Sequence, residues 1–312
     1  MSQGNQSQTN ITVGLQYQGI LGLVLFSILT TVPCCVFFFI NGTMLFTLRS
    51  KTVFRETSRY ILLYNLLFAD TVLLLNSQLM YLLAACRILM TYPVCGALTM
   101  LADLTTVISP LTLVVMCLER YAAVCYPLRH ATFITIRNTG VAIIVVWAFS
   151  LLNVLIQVIL LLNFPFEELQ SLQMTDFCGR ESVLLDPISD LYGKACTYFL
   201  FLSAGVVITS SYIGVMIAAR SASTDKASAR KARNTLLLHL VQLGLSLSST
   251  IYYPLLIAIS EFLDRIIFVR IQNVIYVFII ICPRCLSSLI YGLRDQTIRP
   301  VLVYHLCCQR RR

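Results

Sequence analysis

The residues of this sequence that could do chemistry are a few charged side chains set inside long apolar stretches. Asp70, Asp103, Glu119, Arg120 and Arg284 all lie in such stretches. An ionisable group withdrawn from water needs an opposite charge, trapped water or a ligand beside it. These positions therefore indicate ion pairs, ligand counterions or an ion path.

Bond-breaking chemistry has little support in the sequence. The chain contains three histidines, His130, His239 and His305, at spacings that match no zinc motif. Neither a Gly-x-Ser-x-Gly nucleophile motif nor a phosphate-binding glycine loop is present. We expect no catalytic residue, no metal and no cofactor, and therefore not an enzyme.

The composition is that of an integral membrane protein. Of 312 residues, 58% are hydrophobic and 12% are charged, and a helix crosses the hydrocarbon core with about 20 mostly apolar residues. Seven such stretches occur, at 21–48, 60–84, 92–124, 141–162, 195–219, 236–259 and 266–291. They are too long for barrel strands. They predict an all-α fold, a seven-transmembrane-helix bundle over 20–292, between a tail (1–19) and a segment (293–312) with a short amphipathic helix.

The orientation follows from the distribution of Lys and Arg, which collect on the cytoplasmic side. They concentrate after the first, third, fifth and seventh stretches, whereas the opposite loops hold only Arg87, Arg180, Lys194, Arg265 and Arg270. We expect the N-terminus outside and the C-terminus inside. The net charge of +9 then indicates a basic face beside anionic membrane lipid, and no nucleic acid.

Both ends of the chain carry candidate modification sites. Asn5 and Asn10 begin glycosylation motifs in the outer tail. The tail has no charged leader before an apolar core, so we expect the first helix to act as the signal in place of a cleaved peptide. Cys307 and Cys308 suit palmitoylation beside the membrane, and unmodified thiols are the alternative.

Four cysteines lie near the outer face. Cys95 and Cys178 can form an extracellular disulfide, because that compartment is oxidising and the loop holding Cys178 is long; two free thiols are the alternative. A bridge between Cys86 and Cys196 fits no recognisable framework.

The third stretch ends in a distinctive motif. Residues 116–130 contain Glu119-Arg120-Tyr121, an apolar run, Cys125 and Pro127-Leu128. This pattern resembles the odorant-receptor branch of the rhodopsin-like G-protein-coupled receptors. Lys231-Ala232, Thr235 and His239-Leu240 are similar to the pattern that opens the sixth helix of those receptors. Single positions in the other helices also agree: Asn41, Asp70, Trp147, Tyr212 and Ile290-Tyr291.

The sequence departs from the family pattern in three places. Ser287 and Ser288 replace an Asn-Pro pair, Glu119 replaces the commoner Asp, and the Phe-Tyr-Gly of the sixth helix is missing. These differences indicate a divergent branch, similar to fish-type odorant receptors.

The resemblance implies a receptor in the plasma membrane of olfactory sensory neurons. It would bind a small extracellular odorant and activate a heterotrimeric stimulatory G protein, raising cyclic AMP. The activation switch would comprise Glu119, Arg120, Tyr121, Tyr212, Lys231 and Tyr291. The alternatives are another rhodopsin-like receptor, for an amine or a peptide, and a transporter, although the two related halves of a transporter are not visible.

A polar network is expected in the middle of the bundle, at Asn41, Asp70, Ser109 and Arg284. In the wider receptor class, the positions of Asp70 and Ser109 help to bind sodium. Because Arg284 stands in the seventh stretch, we hypothesise that an Asp70 to Arg284 ion pair replaces the sodium. The alternative places Arg284 in a water-filled cavity away from Asp70.

The ligand is expected in the outer half of the bundle. Asp103 shares a helix face with Thr106 and Val107, and Tyr252, Tyr253 and Tyr276 would add aromatic walls. A buried carboxylate favours an amine or another hydrogen-bond donor. The alternatives are that Asp103 holds helices together and that the tyrosines only pack.

Overall fold

The computed structural model consists of helices. It describes residues 3–86, 88–162, 173, 174, 178, 187–221, 233, 234, 236–245, 247, 255, 259, 262, 271, 274–284, 292 and 297–306. The helices are α1 (Gln3–Ser50), α2 (Thr52–Arg55), α3 (Ser58–Ala85), α4 (Tyr92–Cys125), α5 (Pro127–Phe133), α6 (Ile136–Leu162), α7 (Pro187–Ser221), α8 (Leu236–Leu245) and α9 (Ile298–Leu306), with a π-helical segment, Tyr276–Ile281, before α9.

Five of the described helices are long and apolar enough to cross a membrane. Their spans are Ser27–Ser50, Ser58–Ala85, Tyr92–Cys125, Ile136–Leu162 and Leu191–Ala218. They coincide with the first five predicted stretches to within six residues at either end. The sixth and seventh stretches are described in part, by α8 and by the π-helical segment with the residues around it. In the described part of the chain, the one β contact is an isolated bridge between Thr91 and Gln173.

The exposed and buried faces of α6 are reversed relative to a helix of a soluble protein. Its buried positions are Thr139, Val146, Ser150, Asn153 and Gln157, four of them polar and all at helical spacing. Its exposed positions include Ile144, Leu151, Leu152 and Leu155. Apolar side chains gain nothing by leaving lipid, whereas polar groups must find partners inside the bundle. This arrangement is typical of a helix surrounded by lipid.

The largest apolar core lies in the half of the bundle that the loop charges predict to be cytoplasmic, called the inner half from here on, where α1, α3, α4, α7 and α8 meet. Met44, Leu63, Leu113, Ile208 and Leu236 are all at most 1% exposed there. Pro110 lies inside α4, and such a proline is tolerated because neighbouring helices satisfy the freed backbone groups. The helix α4 contacts α3, α6 and α7, and it carries most of the candidate site.

The C-terminal helix α9 packs against the inner end of α1. Ile298 and Leu302 are buried, one helical turn apart, in the core that contains Met44. A hydrogen bond of 2.8 Å also joins Thr47 Oγ1 to His305 Nδ1. A helix is thus present in this segment. That it is amphipathic and lies on the membrane surface stays a prediction.

Candidate functional site

The middle of the bundle contains a buried ion pair. Asp70 on α3 and Arg284 in the seventh stretch are 1% and 3% exposed, and Arg284 Nη1 lies 3.3 Å from Asp70 Oδ1. The hydroxyl of Ser109 on α4 donates to the same carboxylate oxygen at 2.7 Å. The structure therefore brings Asp70, Ser109 and Arg284 together. The fourth residue of the predicted network, Asn41, is fully buried on α1.

Arg284 reaches Asp70 from an irregular part of its helix. The π-helical segment Tyr276–Ile281 ends just before Pro283, whose nitrogen has no hydrogen to donate to the helical ladder. π-Helical turns are frequent at functional sites because they change which side chains face a neighbouring helix. In this chain the segment begins at Tyr276, whose ring stacks on Tyr81, and ends three residues before the ion-paired Arg284.

Asp103 lies in the outer half of α4, 9% exposed, with Val107 buried and Thr106 half-buried one turn further in. In the outer halves of the next two spans, the Tyr192 hydroxyl on α7 donates to Asn153 Oδ1 on α6 at 3.1 Å. Sequence reasoning missed Asn153 and Tyr192. The signal for Asn153 was the set of polar residues along one face of the otherwise apolar fourth stretch, whereas Tyr192 precedes the predicted fifth stretch and had no such signal.

The predicted aromatic walls are described only in part. Tyr276 is 7% exposed and stacks on Tyr81 of α3, with ring centroids 5.0 Å apart. It therefore joins the seventh stretch to α3 through a packing contact. Tyr252 and Tyr253 lie outside the described residues.

At the inner end of α4, Arg120 Nε lies 3.0 Å from Glu119 Oε2. The ring of Tyr121 lies so close to Gly214 of α7 that a Cβ built on this glycine would be 2.5 Å from the ring carbon Cε2. Tyr212, two residues earlier on α7, packs against the inner core. Lys231 and Tyr291, the other predicted switch residues, lie outside the described residues.

Two further contacts join α4 to its neighbours, and sequence reasoning did not pair these residues. Cys117 Sγ lies 3.0 Å from His239 Nδ1 of α8, and both side chains are fully buried. Asn65 of α3 donates to Thr112 Oγ1 of α4 at 2.9 Å and accepts from Trp147 Nε1 of α6 at 2.9 Å. Asn65 thus holds three helices together in the inner half of the bundle.

The outer end of α4 is covalently tied to the loop before α7. A disulfide joins Cys95 to Cys178, and Met174 of this loop packs beside it. Cys86 and Cys196 are free thiols. The glycosylation candidates Asn5 and Asn10 lie in the first turns of α1, and the palmitoylation candidates Cys307 and Cys308 lie outside the described residues.

The arrangement offers charged groups for binding a ligand and for an ion-pair switch. Within the residues searched, there is no group of three or more His, Cys, Asp or Glu that could hold a metal ion. Its charged groups are the Asp70–Arg284 and Glu119–Arg120 pairs and the carboxylate of Asp103. Asp70, Arg284, Glu119 and Asp103 are buried, whereas Arg120 is partly exposed at the end of α4.

Comparison with known proteins gives a consistent result. Residues 40–291 match the profile of the 7 transmembrane receptor (rhodopsin family). The chain is 31% identical to odorant receptor 131-2 of Danio rerio over 274 residues, which are 88% of this chain and 83% of that protein. It is 27% identical to human olfactory receptor 2A12 over 208 residues, 64% of each chain. It is also 26% identical to human olfactory receptor 4K15 over 254 residues, 79% of this chain and 75% of that one.

Proposed function

This chain belongs to the odorant-receptor branch of the rhodopsin-like G-protein-coupled receptors, a family of receptors and not of enzymes, and from that premise we propose how it signals. It binds a small extracellular odorant in the outer half of the bundle. It then activates a heterotrimeric stimulatory G protein, the olfactory one, and so raises cyclic AMP.

The observation that supports this proposal is the position along α4 of three sites that contain or contact a charged group. Asp103 lies near the outer end, Ser109 joins Asp70 in the middle, and Glu119 with Arg120 lies at the inner end. At 1.5 Å per residue, Asp103 and Arg120 are about 25 Å apart along one helix. Both sites lie on one packed helix, so a ligand bound at its outer end can bias its inner end through that helix and its neighbours.

Asp103 indicates the chemical class of the ligand. A carboxylate that is 9% exposed in the outer half of a membrane bundle favours a partner that carries positive charge or donates hydrogen bonds. An amine odorant meets both requirements. The Asn153–Tyr192 hydrogen bond, in the outer halves of the next two spans, adds polar groups.

The contact between Glu119 and Arg120 holds the resting state. The guanidinium is 20% exposed and the carboxylate 9%, so the pair lies at the edge of the bundle, where a partner protein can reach it. A ligand acts only through its different affinity for the two states, so the active state must let Arg120 leave Glu119. Tyr121 and Tyr212, with Lys231 and Tyr291, rearrange to admit the G protein.

The chain is a multi-pass membrane protein. The loop charges support an outer N-terminus and a basic inner face beside anionic lipid, and the family supports the plasma membrane of olfactory sensory neurons. Glycosylation of Asn5 and Asn10 and palmitoylation of Cys307 and Cys308 belong to the same proposal.

The test is cyclic AMP accumulation in cells that express the chain with the olfactory G protein. Amines, amino acids, alcohols and acids are applied, and surface expression is measured in parallel. We expect a response to an amine that Arg120→Ala abolishes at normal surface expression, and that Asp103→Asn weakens. A response only to peptides would move the chain to another ligand class, and silence of the surface-expressed chain toward every compound would contradict the proposal.

A further inference from the structure

A groove runs along one side of α7, between this helix and the sixth stretch. Its volume is about 670 Å³, which is large enough for a small organic molecule. The residues of α7 that line it lie three or four positions apart and so form one stripe along the helix: Tyr198, Leu202, Gly205, Val206, Thr209 and Ser210. Leu247 of the sixth stretch lines it as well. This space is called the α7 groove below.

The α7 groove is open toward lipid and closed toward the bundle. Leu202 and Val206 are 70% and 58% exposed on a helix that crosses the membrane, so hydrocarbon surrounds them. Leu247 packs against the apolar core that contains the buried ring of Phe201. Between them, a Cβ built on Gly205 would meet nothing within 4 Å. A molecule can therefore enter this space from the bilayer.

Two hydroxyl groups in the α7 groove differ from the other hydroxyls of the same helix. Thr197, Ser203 and Ser211 each donate to a backbone oxygen of the preceding turn. Thr209 and Ser210 are exposed and make no hydrogen bond within the part of the chain that the structure describes. Each therefore offers an O–H donor to the groove. Because a donor without a partner is costly in hydrocarbon, an occupant that carries an acceptor is favoured.

The depth of these hydroxyls restricts the source of the acceptor. The span of α7 ends at Ala218, nine residues after Thr209, which is about 13 Å of helix. The hydrocarbon core is about 30 Å thick, so Thr209 lies near its middle, far from the polar groups of phospholipids and sterols at the surface. The described lining residues include no charged side chain. The acceptor therefore belongs to a neutral molecule that dissolves in the hydrocarbon itself.

We propose that the α7 groove binds a small neutral carbonyl compound, a ketone or an aldehyde, that enters from the bilayer. Its apolar body lies against Leu202, Gly205 and Val206, and its oxygen accepts hydrogen bonds from Thr209 and Ser210. The site is separate from Asp103 on α4 and needs no charge on the ligand. It is defined by binding alone, so it does not depend on the proposed signalling.

The experiment is photolabelling of the purified full-length receptor in phospholipid nanodiscs with benzophenone. The ketone oxygen of this probe accepts hydrogen bonds, and under ultraviolet light its carbonyl carbon bonds to a neighbouring C–H group, which mass spectrometry then locates. We expect label within residues 198–210 that excess dicyclohexyl ketone displaces. Dicyclohexylmethane, which has the same shape without the oxygen, should displace it about fivefold more weakly at equal concentration in the lipid, the value of one neutral hydrogen bond.

Two sets of variants test the site, each with a matched control. Gly205→Phe fills the open space and should remove the displaceable label. Gly140→Phe on α6, whose Cβ also meets nothing within 4 Å, should leave it intact. Thr209→Val combined with Ser210→Ala should make the ketone and the hydrocarbon equal competitors, and this variant serves if Gly205→Phe does not fold. Thr197→Val removes a hydroxyl that is already bonded to its own helix at 2.8 Å and should preserve the difference.

Three results would overturn the α7 groove as a carbonyl site. The first is label that dicyclohexyl ketone does not displace, and the second is equal displacement by the ketone and the hydrocarbon on the wild type. The third is displaceable label that survives Gly205→Phe. Because the assay needs no G protein, a receptor that binds the ketone but gives no cyclic AMP response to any odorant supports the groove and counts only against the proposed signalling.

Discussion

Removing one partner of the Asp70–Arg284 ion pair should destabilise the receptor, and removing both should restore most of the loss. Both side chains are at most 3% exposed, so a charge left alone has almost no water around it. Breaking a buried pair from one side typically costs about 3–5 kcal/mol. The N to O distance of 3.3 Å exceeds the roughly 2.8 Å of the strongest charge-assisted bonds. We therefore expect the lower end, about 3 kcal/mol.

The variants are Asp70→Asn, Arg284→Met and the double substitution. Asp70→Asn keeps an oxygen for the Ser109 hydroxyl, so its main effect is to leave the guanidinium without its counter-charge. Arg284→Met keeps much of the side-chain length and leaves the carboxylate buried. Ser109→Ala is the control, because it removes one donor to the carboxylate and leaves the ion pair in place. It should cost about 1.5 kcal/mol, the lower end for a hydrogen bond to a charged group.

Stability is measured by thermal inactivation of the purified proteins, together with surface expression in cells. The double-mutant cycle gives the coupling free energy between the two side chains, which we expect to be about 2 kcal/mol or more, because both charges disappear together in the double variant. If the two single losses simply add, within about 0.5 kcal/mol, the ion pair does not stabilise the bundle. Unchanged expression and stability in all three variants would refute the reasoning altogether.

Three further substitutions test other contacts of α4 and its neighbours. Gly214→Ala places a methyl group 2.5 Å from a tyrosine ring of the switch and should reduce ligand-stimulated cyclic AMP, whereas Gly205→Ala on the same helix meets nothing within 4 Å and should signal normally. Trp147→Phe leaves the amide oxygen that it bonds buried without its donor, and should lower the free energy of unfolding by about 1–3 kcal/mol in thermal denaturation. Cys95→Ser breaks the outer disulfide, should cost about 2–5 kcal/mol and should reduce surface expression, whereas Cys86→Ser changes a free thiol and should not.

Much of the fold could be predicted because a helix that crosses lipid is a local property. Length and apolar composition decide it, and the first five stretches agree with the described helices to within several residues. The residues of the candidate site were also visible locally, since a charge such as Asp103 or Arg284 stands out against apolar neighbours. The missed residues, Asn65, Asn153 and Tyr192, are uncharged, so their types alone did not distinguish them.

The sequence by itself determined that the chain lies in a membrane, which residues are charged inside it, and which family motif it carries. Only the tertiary structure decided which of these residues meet. Asp70 and Arg284 are 214 positions apart, and Cys117 and His239 are 122 apart, so no local pattern links them. Their contacts depend on how each helix is rotated and how deeply it sits against its neighbours. Side-chain packing across the whole bundle sets both quantities.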